Sequence, residues 1–124
     1  MPMETAHIWL GQFHSEEKLV AYLEEQYDND EVPISQFAAD QNESYYDHDW
    51  VEYNFCVSHE LFELIDGASY SNDYLDEVIE VAAKIGIESA NTFIMADFEE
   101  FDKPKSVNTH SYKLWYIGTF KCKI

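Results

Sequence analysis

Apolar and polar positions alternate along this chain in blocks that change period several times. His7–Phe13 (HIWLGQF) is a short run, bulky and apolar on both sides, and predicts a first strand. Ser15 then suits an N-cap, with Glu16 and Glu17 in the first turn, where the helix dipole favours negative charge. Leu19, Leu23 and Tyr27 recur at helical spacing, so a helix is expected over residues 15–27. An acidic turn, Asp28–Glu31, is closed by Val32-Pro33, and Ile34, Phe37 and Ala38 predict a short helix over 35–41. Trp50–Val57 alternates, with Val51, Tyr53, Phe55 and Val57 on one face and Glu52 and Asn54 on the other, as in a half-exposed strand.

The second half continues the alternation of element types. Ser58 is placed to cap a short helix bearing Leu61, Phe62, Leu64 and Ile65, ended by Asp66-Gly67. Leu75, Val78, Ile79, Ala82 and Ile85 share one helical face. Asn72 or Asp73 can cap this helix, Gly86 can end it, and Ile87 can supply the apolar contact beyond. Asn91–Phe98 is apolar on both faces and predicts a central strand. Residues 102–111, with Pro104 and small polar groups, predict a loop, and Tyr112–Ile124 a long last strand. On that strand Tyr112, Leu114, Tyr116, Phe120 and Cys122 would share a face. The order β-α-α-β-α-α-β-β implies an α+β fold: a single four-stranded, mainly antiparallel sheet with helices packed on one face. The last two strands would form a hairpin. No linker or repeat interrupts the chain, so residues 1–124 are expected to form one domain.

Charge alters this picture most. The chain of 124 residues has 25 Asp plus Glu, seven Lys and no Arg, a net charge of −18. Residues 1–102 hold all 25 acids and only Lys18 and Lys84, a net −23, whereas residues 103–124 hold five lysines and no acid. A field this negative repels nucleic acid and anionic membranes and speeds encounter with basic partners. Composition therefore excludes direct nucleic-acid binding and a membrane-surface role, and favours a basic protein partner. Aromatic residues make up 16% of the chain, enough to fill a core and to leave anchors for recognition.

Catalytic and metal chemistry find little support. There is no GxSxG, Walker loop, GxGxxG or Cys/His signature. Carboxylate pairs are uninformative in so acidic a chain. Counted from Asp28, the sixth and twelfth residues of a calcium loop would be Pro33 and Ala39, where Gly and Glu are needed. Asp47-His48-Asp49 mixes metal-ligand types, but consecutive residues of an extended chain point to opposite sides. The expectation is no enzyme, no metal and no cofactor. Cys56 and Cys122 stand in apolar strand-like stretches and read as reduced, buried thiols. The N-terminus lacks the basic and long apolar segments of a signal peptide, so a cytoplasmic location is expected.

Two stretches combine acids with aromatics just outside regular elements, where recognition residues concentrate. Asp28, Asp30, Glu31, Tyr45, Tyr46, Asp47, Asp49 and Trp50 are the candidate binding residues. Tyr46 and Trp50 also fit a core role. The acids are the better probes, because burying carboxylates without partners is costly.

The region around these residues resembles the polymorphic-toxin immunity proteins of immunity protein family 22. The matching features run in order over residues 7–55: Gly11 and Phe13 as Gly-x-Phe; Ser15–Glu17 and Tyr22–Glu24 as Ser-Glu-Glu and Tyr-Leu-Glu; the acidic turn Asp28–Glu31; Pro33, Ser35 and Phe37 as Pro-x-Ser-x-Phe; and Tyr45–Asp47, Asp49 and Trp50 before a strand. The resemblance implies a bacterial, cytoplasmic antitoxin that binds a cognate toxin domain and neutralises it. Many such toxins are basic nucleases, in keeping with the charge. The alternative of a different class is an acidic nucleic-acid mimic that regulates a DNA-binding protein. The oligomeric state is open.

Overall fold

In the computed structural model, residues 3–25, 33–43 and 51–123 are described. The elements are β1 (Met3–Phe13), α1 (Glu16–Leu23), α2 (Gln36–Asp40), β2 (Val51–Phe55), α3 (Leu61–Asp66), α4 (Leu75–Lys84), β3 (Thr92–Asp97), β4 (Val107–Asn108) and β5 (Tyr112–Lys123). The fold is α+β, with one antiparallel sheet in the order β2-β3-β1-β5-β4. Among the described residues the sheet has five strands rather than four. The addition is the two-residue β4, which lies in the stretch expected to be loop and pairs Val107 with Leu114.

Helices cover both faces, not one. Ile8, Trp9 and Leu10 of β1 are all fully buried. Because successive side chains of a strand point to opposite sides, Ile8 and Leu10 pack with α3 and α4, while Trp9 packs with α1 and α2. Phe93 and Ile94 of β3 divide in the same way. A two-sided apolar strand leaves a hydrophobic face to water unless both sides are covered. The residues of His7–Phe13 and Asn91–Phe98 already carry that demand.

The hairpin expected between Asn91–Phe98 and Tyr112–Ile124 does not form. β1 is antiparallel to both β3 and β5 and lies between them. β3 and β5 therefore run in the same direction, and the chain must cross over β1 to connect them. It crosses on the α1/α2 side, where Phe101 is buried. Polar anchors from β1 and the end of α2 hold the crossing. The buried His7 Nε2–H donates to the carbonyls of Phe98 (3.1 Å) and Phe101 (3.3 Å), leaving Nδ1 to accept from the Tyr116 hydroxyl at 2.8 Å. Trp9 Nε1–H donates to the Lys105 carbonyl at 3.3 Å. Gln41 grips Lys105 twice: its Nε2 donates to the carbonyl (2.9 Å) and its Oε1 accepts from the N–H (2.6 Å).

The last strand also departs from strict alternation. Ile8 pairs with Gly118 but Trp9 pairs with Tyr116, so Ile117 is an extra residue, a β-bulge. The parity of the strand changes there. Tyr112, Leu114 and Tyr116 face α1 and α2, whereas Phe120 and Cys122 face α3 and α4.

Helix ends follow local chemistry. Ser15 and Ser35 cap α1 and α2, accepting from the backbone N–H groups of Lys18 (3.2 Å) and Ala38 (3.0 Å). Ser58 acts one step earlier than expected. Its Oγ accepts from Glu60 N–H and donates to the Glu63 carboxylate, and α3 starts at Leu61 without a side-chain cap. Neither Asn72 nor Asp73 caps α4, because Ser71–Asp73 forms a separate 3-10 turn and Tyr74 takes the cap position. The other end of α4 is as expected. Gly86 takes φ +89°, its N–H reaches Ala83, and the N–H of the buried Ile87 reaches the Ala82 carbonyl at 2.8 Å.

Candidate functional site

The eight residues singled out from the sequence, Asp28, Asp30, Glu31, Tyr45, Tyr46, Asp47, Asp49 and Trp50, lie outside the described residues, as does His48. The elements on either side of them are described. α1 precedes the first segment and Pro33 follows it; Glu43 precedes the second and β2 follows it. Leu23 at the end of α1, Ile34 and Val51 all pack into the hydrophobic cluster of the α1/α2 face. These three flanking residues therefore lie on the same side of the sheet.

That side carries an open groove of about 650 Å³ between α1 and the edge strand β2. Glu16, Glu17 and Glu24 line it together with Val20, Leu23 and Tyr53. Its origin is the amphipathic character of α1. Leu19 and Tyr22 are buried, and the acids point outward. Val20 and Tyr53 are 45% and 42% exposed, so water-accessible apolar surface stands beside carboxylates. Tyr53 lies on the face of Val51 and Phe55, as expected; those two pack against the cluster, and Tyr53 reaches the groove. Apolar contact area among charges is the chemistry of protein recognition rather than of catalysis.

A second polar constellation had no sequence signature. Asp40, at the end of α2, accepts hydrogen bonds from the Tyr22 hydroxyl (2.9 Å) and the Tyr112 hydroxyl on one oxygen, and from Gln36 Nε2 (2.9 Å) on the other. Burial first, and the Asp40 carboxylate second, push the Tyr22 phenol far above its ordinary value. The same two causes raise Tyr112. Both hydroxyls stay protonated donors, and the carboxylate oxygens are occupied. This knot ties α1, α2 and β5 together and offers no free base. Only the Gln36–Asp40 spacing of four residues was visible beforehand.

His7 is likewise engaged on both ring nitrogens, and burial lowers its pKa from the ordinary histidine value. Cys122 is buried with its thiol pushed up by burial, and Cys56 is half-buried, its Sγ 3.0 Å from Ser58 Oγ. Among the described residues, no three His, Cys, Asp or Glu side chains are placed to hold a metal ion. No helix among them is long and apolar enough to cross a membrane.

The family described as Immunity protein 22 matches residues 6–122, nearly the whole chain. No curated protein and no solved structure matches it.

Proposed function

The chain belongs to the Immunity protein 22 family, and from that premise we propose that it is the antitoxin of a polymorphic toxin system, neutralising a basic nuclease toxin domain in the cytoplasm. The family assignment, spanning residues 6–122, is the observation that carries this reading. An immunity role requires a cognate toxin. Charge indicates its nature: a chain of net −18 associates fastest with a basic partner.

In this reading the binding surface comprises Asp28, Asp30, Glu31, Tyr45, Tyr46, Asp47, Asp49 and Trp50, extended by the groove of Glu16, Glu17, Val20 and Tyr53. Carboxylates stand in for substrate phosphates, and aromatic rings anchor the contact. The chain inhibits by occupying its partner and carries out no reaction, with neither metal nor cofactor. In support, the half-buried Asp40 and the buried His7 spend their hydrogen-bonding capacity on the fold.

Co-expression with the toxin domain encoded beside its gene tests the proposal. The two chains should co-purify, and cells should survive only when both are made. A purified pair whose toxin retains full nuclease activity would refute it.

A further inference from the structure

Two hollows adjoin where β1 ends and β5 begins. One, of about 470 Å³, presents His14, His59, His110 and Lys113 around Trp115. The other, of about 410 Å³, presents Lys18 and again His14 beside Tyr22. They share Phe13, His14, Ser111 and Tyr112 as a common wall. Among the described residues, no Asp or Glu lines either one. In a chain with 25 acids this gap is specific, and it is occupied by three of the five histidines and two of the seven lysines. Lys18 is one of only two lysines in residues 1–102.

Helix α1 separates this cleft from the acidic groove. Glu16, Val20 and Glu24 point to the groove, while Lys18 emerges on the opposite flank, as the helical repeat requires. The two sides of one short helix thus carry opposite charge.

The groups facing the cleft are mainly donors. Ammonium groups only donate, protonated imidazoles donate from both nitrogens, and the Ser111 hydroxyl can turn to donate. The three histidines are not grouped closely enough to hold a metal ion. The carboxylate that adjoins the wall, Asp40, is already taken up by Tyr22, Tyr112 and Gln36, and the ammonium and imidazole donors beside that aromatic wall suit an oxyanion. The long-range field of the chain limits its size, because a polyanion would meet the acids beyond the cleft.

We propose that this cleft binds a compact oxyanion, a phosphate or carboxylate group, independently of the acidic surface. The test is a titration of the full chain followed by NMR at about pH 6.5. The probes are inorganic phosphate and, separately, N-acetylglutamate, with ionic strength held constant by sodium chloride. Saturating shifts of the His14, His59 and His110 rings and the Trp115 indole are expected with at least one probe, and the probe that saturates identifies the anion type. In the Lys18→Gln/Lys113→Gln variant the midpoint should weaken about tenfold or more, with the rest of the spectrum unchanged. Lys84→Gln, on α4, should titrate as the parent does. Shifts that never saturate with either probe, or a double variant titrating like the parent, would overturn the proposal.

Discussion

Asn91 holds the backbone of Phe13 at both of its polar groups: its Nδ2 donates to the Phe13 carbonyl at 2.7 Å, and its Oδ1 accepts from the Phe13 N–H at 3.0 Å. The side-chain amide stands in for a strand partner just where β1 runs out of pairing with β3. All three groups are buried. Replacing Asn91 by Leu would leave the donor and acceptor of Phe13 without partners. Each orphaned group costs about 1–3 kcal/mol. Urea unfolding of Asn91→Leu should show a loss of about 2–6 kcal/mol, and a loss below the scatter of such measurements would mean that water replaces the amide.

Gly11 and Gly86 are required for different reasons, and substitution should separate them. A Cβ on Gly11 would lie 2.7 Å from the Lys113 carbonyl oxygen, a backbone atom of the paired strand. Gly11→Ala should cost about 1–3 kcal/mol through forced separation of β1 and β5. At Gly86 nothing stands within 4 Å, but φ is +89°. Gly86→Ala should cost about 1–2 kcal/mol, and Gly86→Asn less, because Asn tolerates left-handed backbone. Equal costs for Ala and Asn at position 86 would contradict a purely conformational cause.

Burial keeps His7 neutral, and stability should depend on pH accordingly. Its folded pKa is lowered, mainly by desolvation and against the opposing pull of the Phe98 and Phe101 carbonyls. The unfolded chain therefore binds a proton before the folded chain does. The contribution of this group is full above the ordinary histidine value of about 6.5 and is lost as pH falls below it toward the folded value. Urea stability measured downward from about pH 8 should decline in that window. His7→Gln should be less stable than the parent at neutral pH but show a shallower decline. An identical slope in parent and variant would assign the acid sensitivity elsewhere.

Much of the fold can be read from residue order. The Ser15 cap, the Gly86 termination and the two-sided apolar runs of β1 and β3 are local signals, and each formed where expected. Long-range choices were not legible. Which strand takes the centre depends on β1 being two-sided and eleven residues long, and so able to serve both β3 and β5. The bulge at Ile117 moved Phe120 and Cys122 to the other face, and no composition rule marks one inserted residue. The Asp40 knot joins residues 22, 36, 40 and 112, a convergence with no motif. Of the candidate surface, the acids and aromatics stood out in the chain, while the groove of Glu16, Val20 and Tyr53 required the placement of α1 against β2.

Association with the toxin should be electrostatically steered. Residues 1–102 carry a net −23, and screening shortens the reach of that field from about 10 Å at 0.1 M salt to about 3 Å at 1 M. Stopped-flow association should slow steeply across this range, with dissociation changing much less. A rate constant that stays flat would remove steering from the account while leaving binding itself in place.

The central claim is that the acidic and aromatic surface around residues 28–31 and 45–50 engages the toxin. Its most direct test is the affinity of an Asp47→Ala/Asp49→Ala variant for the cognate toxin domain, measured by calorimetry beside the parent, with urea unfolding to establish that the fold is intact. The account predicts unchanged stability and binding weaker by about 2–5 kcal/mol, the range for losing a close interfacial charge contact whose partner stays buried. Parent-like affinity in the folded variant, with charge reversal on another face abolishing binding, would contradict it.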